Sequence, residues 1–180
     1  NEPAHHIEVR NIRFERIQAT GNIDYLKLSG VDSFLVENIV MTDGAAGGSG
    51  IDMVGCHNGL VQRCRFERMG SNAIQVKGGS RFITIRQCMF VDAGQRAINL
   101  GGSTGLPYFR PPDATSEASD LLVYSNIFIG GVTAFGYVGC ERVRCVNNLI
   151  MRPTRWVFRI LQENVDPQRF VPCRNNMFRN

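Results

Sequence analysis

Five polar side chains and one glycine recur at matching places along the chain: Lys27, Asp52, Gln75, Asn99, Gly136 and Arg159. Each sits between two apolar residues of a short alternating segment, so each points away from whatever those apolar residues bury. Asp24, Asn72, Lys77 and Arg96 lie at nearby outward positions, and Asp43 and Asp92 lie at the corners leading in. Cations, carboxylates and amides on one face suit an acidic sugar polymer: cations meet its carboxylates and amides meet its hydroxyls. Abstracting the proton at C5 of a uronic acid would also need a neutralised carboxylate and a nearby base. Asp24, Asp43 and Asp52 are the candidate ligands of a Ca²⁺ that would do the neutralising. Lys77 or Lys27 is the candidate base, and Arg96 the group to stabilise a developing enolate. Asn99, Gln75 and Arg159 would hold the polymer. The plainer alternative is a solvated sheet face, with Lys27 and Asp52 paired for under ~1 kcal/mol.

Such a face exists only if distant segments stack in register, and a repeat says that they do. The pattern is a β-branched or Cys residue, two variable residues, then Ile, Cys or Asn, one variable residue, and a large apolar residue. Its copies are Val9-x-x-Ile12-x-Phe14, Val36-x-x-Ile39-x-Met41, Val61-x-x-Cys64-x-Phe66, Ile85-x-x-Cys88-x-Phe90, Val123-x-x-Asn126-x-Phe128, Cys145-x-x-Asn148-x-Ile150 and Cys173-x-x-Asn176-x-Phe178. Successive central residues fall 22–28 positions apart, with one gap of 38. A period in this range marks a solenoid, in which one repeat cannot bury its own apolar face and must stack on the next. Each repeat carries a second alternating stretch: Leu26-x-Leu28, Ile51-x-Met53, Ile74-x-Val76, Ile98-x-Leu100, Phe135-x-Tyr137 and Phe158-x-Ile160. Glycine follows two residues later at Gly30, Gly55, Gly78, Gly102 and Gly139, marking a corner. Short strands, glycine corners and no helical segment predict an all-β parallel β-helix of six to seven coils, one domain over residues 1–180. A leucine-rich repeat has an overlapping period but needs a constant Leu framework and an Asn in every repeat. Here the framework is Val, Ile and Phe.

Residues 101–120 break the period and are expected to form a loop insertion on one face. Tyr108, Phe109 and Arg110 could bring an aromatic platform and a cation to bound sugar, or could tack the loop to the coil. Both readings stand, and Tyr108 and Arg110 are carried as candidate substrate-binding residues. The last motif closes the chain without a capping segment. The chain is therefore expected to be an excerpt of a longer β-helix, its flanking coils or cap lying elsewhere.

The chain has 180 residues, 43% apolar and 20% charged, with a formal net charge of +4. That mild excess is compatible with an acidic partner but does not require one. Arg residues are dispersed rather than striped, so nucleic acid is not an expected partner. No apolar run reaches the ~18 residues of a membrane span. Cys64 and Cys88 share one column of the repeat, and Cys145 and Cys173 another; Cys56 and Cys140 follow corner glycines. Stacked coils lie ~4.8 Å apart, which holds parallel Cβ atoms slightly too far apart for an unstrained bridge. The four column cysteines are read as small buried hydrophobes. No C-x-x-C spacing, P-loop or dinucleotide fingerprint occurs.

The V-x-x-N-x-F ladder, with its strands ending in glycine, resembles the right-handed parallel β-helix repeat proteins of the pectate-lyase-like superfamily. The resemblance covers nearly all of the chain outside residues 101–120. The segments Asp24-Tyr25-Leu26-Lys27-Leu28 and Gly50-Ile51-Asp52-Met53 are similar to stretches of calcium-dependent pectate lyases that use a Lys base. That similarity implies Asp24 and Asp52 near a metal, with a Lys across the face. The departure is that Gly and Ser, not a tandem Asp-Asp, precede Ile51. What the resemblance implies is a secreted, periplasmic or cell-surface protein of bacterial type, acting on or binding an acidic polysaccharide. It would be a polysaccharide lyase-like protein or, alternatively, a non-catalytic glycan-binding or structural surface module.

Overall fold

The computed structural model describes residues 2–17, 20–162, 166, 170 and 172–179. The chain winds coil on coil through three parallel sheets, of nine, six and six strands among the described residues. The first sheet stacks Ala4–Arg10, Val31–Glu37, His57–Gln62, Ser80–Arg86, Leu122–Tyr124, Arg144–Val146 and Met177–Arg179, with the short strands Ala118–Ser119 and Cys140–Glu141 pairing beside them. The second stacks Arg13–Glu15, Val40–Thr42, Arg65–Glu67, Met89–Val91, Ile127–Ile129 and Leu149–Met151. The third stacks Leu26–Ser29, Ser49–Val54, Asn72–Lys77, Arg96–Gly101, Thr133–Val138 and Trp156–Leu161. The all-β parallel solenoid predicted from the repeat is what the chain forms.

The recurring motif is the passage from the first sheet to the second. Val36, Val61, Ile85, Val123 and Cys145 are buried at the end of the first-sheet strand. Phe66, Phe90 and Phe128 are buried in the second sheet, one above the next. Their rings stack at 5.1 and 4.6 Å between centroids, within 7° and 4° of parallel. Truncating a ring in such a column to Ala costs about 3–5 kcal/mol.

The turn between the two sheets depends on a left-handed residue just before each central position: Asn11, Asn38, Arg63, Gln87, Ser125 and Asn147, with φ of 52–57°. That conformation costs roughly 1–2 kcal/mol in a non-glycine residue. Below the turn the central side chains close it. Asn126 Oδ1 accepts from the Cys88 amide at 2.9 Å, and its Nδ2 donates to the Ile85 carbonyl at 3.1 Å. Asn148 repeats this one coil on, accepting from the Asn126 amide at 3.1 Å and donating to the Val123 carbonyl at 3.0 Å.

The seventh copy of the motif does not follow this course. Phe178 pairs with Cys145 in the first sheet, rather than with Ile150 in the second. Cys173 accordingly lies over Cys140, not over Cys145, and the side chain of Asn176 donates to the Cys140 carbonyl at 3.0 Å. The cause is a second bend in the first-sheet stretch of each coil, also built on one left-handed residue: His6, Ser33, Asn58, Phe82, Asp120, Arg142 and Asn175. Cys140-x-x-Val143-x-Cys145 therefore has the same spacing as the true motif, and Cys173-x-x-Asn176-x-Phe178 stacks on it. Asn180, the chain's last residue, lies outside the described residues.

Residues 101–120 leave the third sheet at Gly101, one residue earlier than the expected corner at Gly102, with φ of 103°. They fold over the corner between the third and first sheets. The Arg110 amide donates to Gly78 O at 3.0 Å and the Gly79 amide to Glu117 O at 2.8 Å. Gly55 is pressed against Arg110: a Cβ there would stand 2.6 Å from Arg110 Cβ. Phe109 is wholly buried against Phe170, with centroids 5.0 Å apart, so the anchoring reading holds for this ring. The buried Glu117 carboxylate accepts from the Gly78 and Thr104 amides and the Thr104 hydroxyl at 2.7–2.9 Å, which fixes the root of the loop. No helix among the described residues is long and apolar enough to cross a membrane.

Candidate functional site

The third sheet brings the predicted outward residues into a line. Lys27 pairs with Asp52, Asp52 with Gln75, Gln75 with Asn99, Asn99 with Gly136, and Gly136 with Arg159. A second line runs beside it at the start of the same strands, where Ser49 pairs with Asn72, Asn72 with Arg96, and Thr133 with Trp156. Asp24 extends it, its Oδ1 accepting from the Ser49 amide at 2.8 Å. Within single coils the two lines touch. Asn72 Nδ2 donates to Gln75 Oε1 at 3.4 Å, Arg96 Nη1 donates to Asn99 Oδ1 at 3.2 Å, and the Arg159 guanidinium lies 5.1 Å from the Trp156 ring centroid.

The two ends of this face differ in chemistry. At the Lys27 end, Asp52 is 1% exposed and its Oδ2 is shared by Lys27, in direct contact, and Lys77 at 3.4 Å. Lys27 also lies 3.8 Å from Asp24. Asp52 Oδ1 is buried, with no hydrogen-bond partner among the described residues. Two ammonium groups thus fill the space around the carboxylates where a Ca²⁺, which takes six to eight oxygens, would sit. Asp43 does not join them. It occupies a corner with φ of 59° and binds Arg68 through both oxygens at 2.6 and 3.1 Å. That hydrogen bond holds its carboxyl below the usual carboxylate range. Among the described residues no three His, Cys, Asp or Glu side chains gather to hold a metal ion. The arrangement as it stands fits an ammonium–carboxylate cluster better than a Ca²⁺ cage.

At the other end lies an open groove of about 770 Å³ that crosses four coils. Gln75, Arg96, Asn99 and Arg159 all line it, as the sequence predicts for one shared face. So do Arg155 and Trp156, which the sequence reading passes over. Arg155 and Arg159 lie 5.5 and 5.1 Å from the Trp156 ring centroid, within reach of its π face. Gly136 makes room for the opposite wall. A Cβ there would stand 2.7 Å from Asn99 Oδ1 and 2.8 Å from Arg96 Cδ, so these two side chains occupy the space a larger residue would fill. Three guanidinium groups line the groove and, among the described residues, no carboxylate does. An anion is therefore the charge it favours.

Tyr108 and Arg110 are not brought to this groove. Tyr108 is exposed on the loop, and Arg110 turns its guanidinium back onto the carbonyls of Pro107 and Phe109 at 3.0 and 2.7 Å. His57 Nε2 contacts the Arg110 carbonyl at 3.0 Å on the same corner. The insertion reaches the groove only through Gly102 and Ser103. Lys77 lies just under that root: a Cβ on Gly102 would stand 3.2 Å from Lys77 Cδ.

Neither a curated protein nor a solved structure matches the chain. The family model described as "Right handed beta helix region" matches residues 2–110. With that match, and with three parallel sheets wound coil on coil, the chain belongs to the right-handed β-helix family.

Proposed function

We propose that the chain engages an acidic polysaccharide along the outward face of the third sheet. The observation that carries this reading is the lining of the groove: Arg96, Arg155 and Arg159 with Trp156, Gln75 and Asn99, and no carboxylate among the described residues. Guanidinium groups bind carboxylate or sulfate in a planar, bidentate fashion. Amides serve sugar hydroxyls, and an indole gives a flat apolar surface for a sugar ring. Such polymers place the protein's work outside the cytoplasm, at the cell surface, in the periplasm or in the medium.

A second reading, β-elimination on a uronic acid polymer, draws on Asp52. A lysine can act as base only after losing its proton. Asp52, with Oδ1 unpartnered and both ammonium groups on Oδ2, is the group placed to take it. Lys77 or Lys27 would then remove the C5 proton, with Arg96 beside the developing negative charge. No step of this reading is routed through a metal.

Affinity electrophoresis and calorimetry with polygalacturonate, alginate and a glycosaminoglycan test the first reading. Binding that weakens as salt rises is expected, because guanidinium–anion contacts at an open groove are screened. Absence of binding to every one of these polymers, with a neutral glucan as control, would sink it. Ultraviolet absorbance of an unsaturated uronate product tests the second. Release that Lys77→Ala or Lys27→Ala abolishes supports elimination, and binding without release leaves a glycan-binding module.

A further inference from the structure

The stacking that builds the groove also places two sulfur atoms together at the corner between the third and first sheets. Cys140 and Cys173 lie in adjacent coils with their Sγ atoms 3.9 Å apart. Their backbones are joined immediately after the pair: the Arg174 amide donates to Cys140 O at 3.3 Å, and the next residues, Glu141 and Arg174, form a β-bridge. Asn176 Nδ2 donates to Cys173 Sγ at 3.1 Å and to Cys140 O at 3.0 Å, which holds the two coils in this alignment. Cys173 is half-buried and lines an open cavity of about 340 Å³ with Tyr137, Phe158, Ile160 and Phe178. Cys140 is fully buried behind it.

We propose that Cys140 and Cys173 are a reversible thiol–disulfide pair that ties the segment 173–179 to the coil beneath it. Adjacent parallel strands hold Cα atoms ~4.8 Å apart, inside the range of disulfides; the Cβ atoms of stacked cysteines must still close by a few tenths of an ångström, which takes a small backbone shift as well as side-chain rotation. The alignment at a bend, rather than in the middle of a strand, leaves the backbone room to follow. Cys173 is the attacking sulfur. The Cys140 thiol and the Asn176 amide both donate toward it, which lowers its pKa below the ordinary thiol value. The oxidant is a small-molecule disulfide entering the open cavity. The Cys173 thiolate attacks one of its sulfurs, forms a mixed disulfide and expels one thiolate. Cys140 then loses its proton to water, attacks the Cys173 sulfur and expels the second thiolate. Two thiols are oxidised to one disulfide, and the reagent is reduced to two thiols.

Cys64 and Cys88 provide an internal control. They stack in the same way, with the Cys64 amide 3.5 Å from Cys88 Sγ, but both are sealed in the core. The folded protein is incubated with oxidised glutathione, quenched with acid and alkylated, and its peptides are mapped by mass spectrometry. The expected product joins the peptides holding Cys140 and Cys173, is reversed by dithiothreitol, and is absent from Cys140→Ser and Cys173→Ser, while Cys64 and Cys88 are recovered as free thiols. Cys173→Ser changes only the half-exposed partner and keeps the test informative if Cys140→Ser fails to fold. A bridge from Cys173 to Cys145 would overturn the proposal and restore the register read from the motif. Glutathione retained on Cys173 without any bridge, or no modification at all, would also overturn it.

Discussion

The outward faces of the second and third sheets are built by the same stacking, yet they carry opposite arrangements of charge. On the second sheet, the two charged strands, Arg13–Glu15 and Arg65–Glu67, each carry a basic and an acidic group that satisfy one another. Arg13 contacts Glu15, Arg65 lies 2.9 Å from Glu67, and Arg68 binds both Glu67 and, at 2.6 Å, Asp43. On the third sheet, carboxylates gather at one end around Lys27 and Lys77, while the groove at the other end holds Arg96, Arg155 and Arg159 beside Trp156. Lines of polar groups follow from any β-solenoid. A face becomes a binding face when the sheet does not supply its own counter-charge.

Reversing charge on each face gives the sharpest contrast. Arg159→Glu is expected to weaken acidic-polysaccharide binding about a hundredfold or more, whereas Arg65→Glu changes it less than about threefold. Equal losses from the two, measured by affinity electrophoresis, would erase the distinction between the faces. Trp156→Ala should cost about tenfold in affinity, near the value of one aromatic stacking contact, with little change in melting temperature because the ring is 40% exposed. Gly136→Ala forces Arg96 and Asn99 aside and should weaken binding roughly three- to fivefold. An unchanged calorimetric affinity would show that these two side chains do not touch the polymer.

The smallest effect is expected from acid, and it belongs to the second sheet. Arg68 and Arg65 hold Asp43 and Glu67 below their ordinary pKa values of 3.8 and 4.5. A depressed carboxyl stabilises the fold fully above its unfolded value and loses that contribution as pH falls through the folded one. The melting temperature should therefore drop below about pH 4, and Arg68→Ala should flatten that drop. A pH-independent melting curve in the parent protein would count against these pairs as stabilising contacts.

Much of this face was legible in the sequence because two simple periodicities met there. Alternation placed Lys27, Asp52, Gln75, Asn99 and Arg159 outward, and the repeat set them side by side. Trp156 escaped because an apolar ring two residues before Phe158 reads as its inward partner, whereas polar Asn72 and Arg96 at the same place do not. In the structure Asn72, Arg96, Thr133 and Trp156, each the first residue of its strand, line the groove, and small Ala73, Ala97 and Ala134 are buried next to the first three. The misphased seventh motif has a comparable cause. Both bends use a single left-handed residue, so their spacings are identical, and Cys173 and Asn176 satisfy either one. The left-handed positions themselves carry Asn, Arg, Ser, Gln, Asp, Phe and His, so no single residue type announces them. The direction taken by residues 101–120 was not readable: the burial of Phe109 pulls them over the corner and away from the sheet face.

One winding lays down one rung of the groove, and the rungs stand a fixed ~4.8 Å apart. Gain or loss of a whole winding would lengthen or shorten the groove by a single step and leave the other rungs intact. Gain or loss of one residue within a strand would instead turn every outward group on that rung toward the core. Variation in length among such faces should therefore come in complete turns, as a ruler is cut only at its marks.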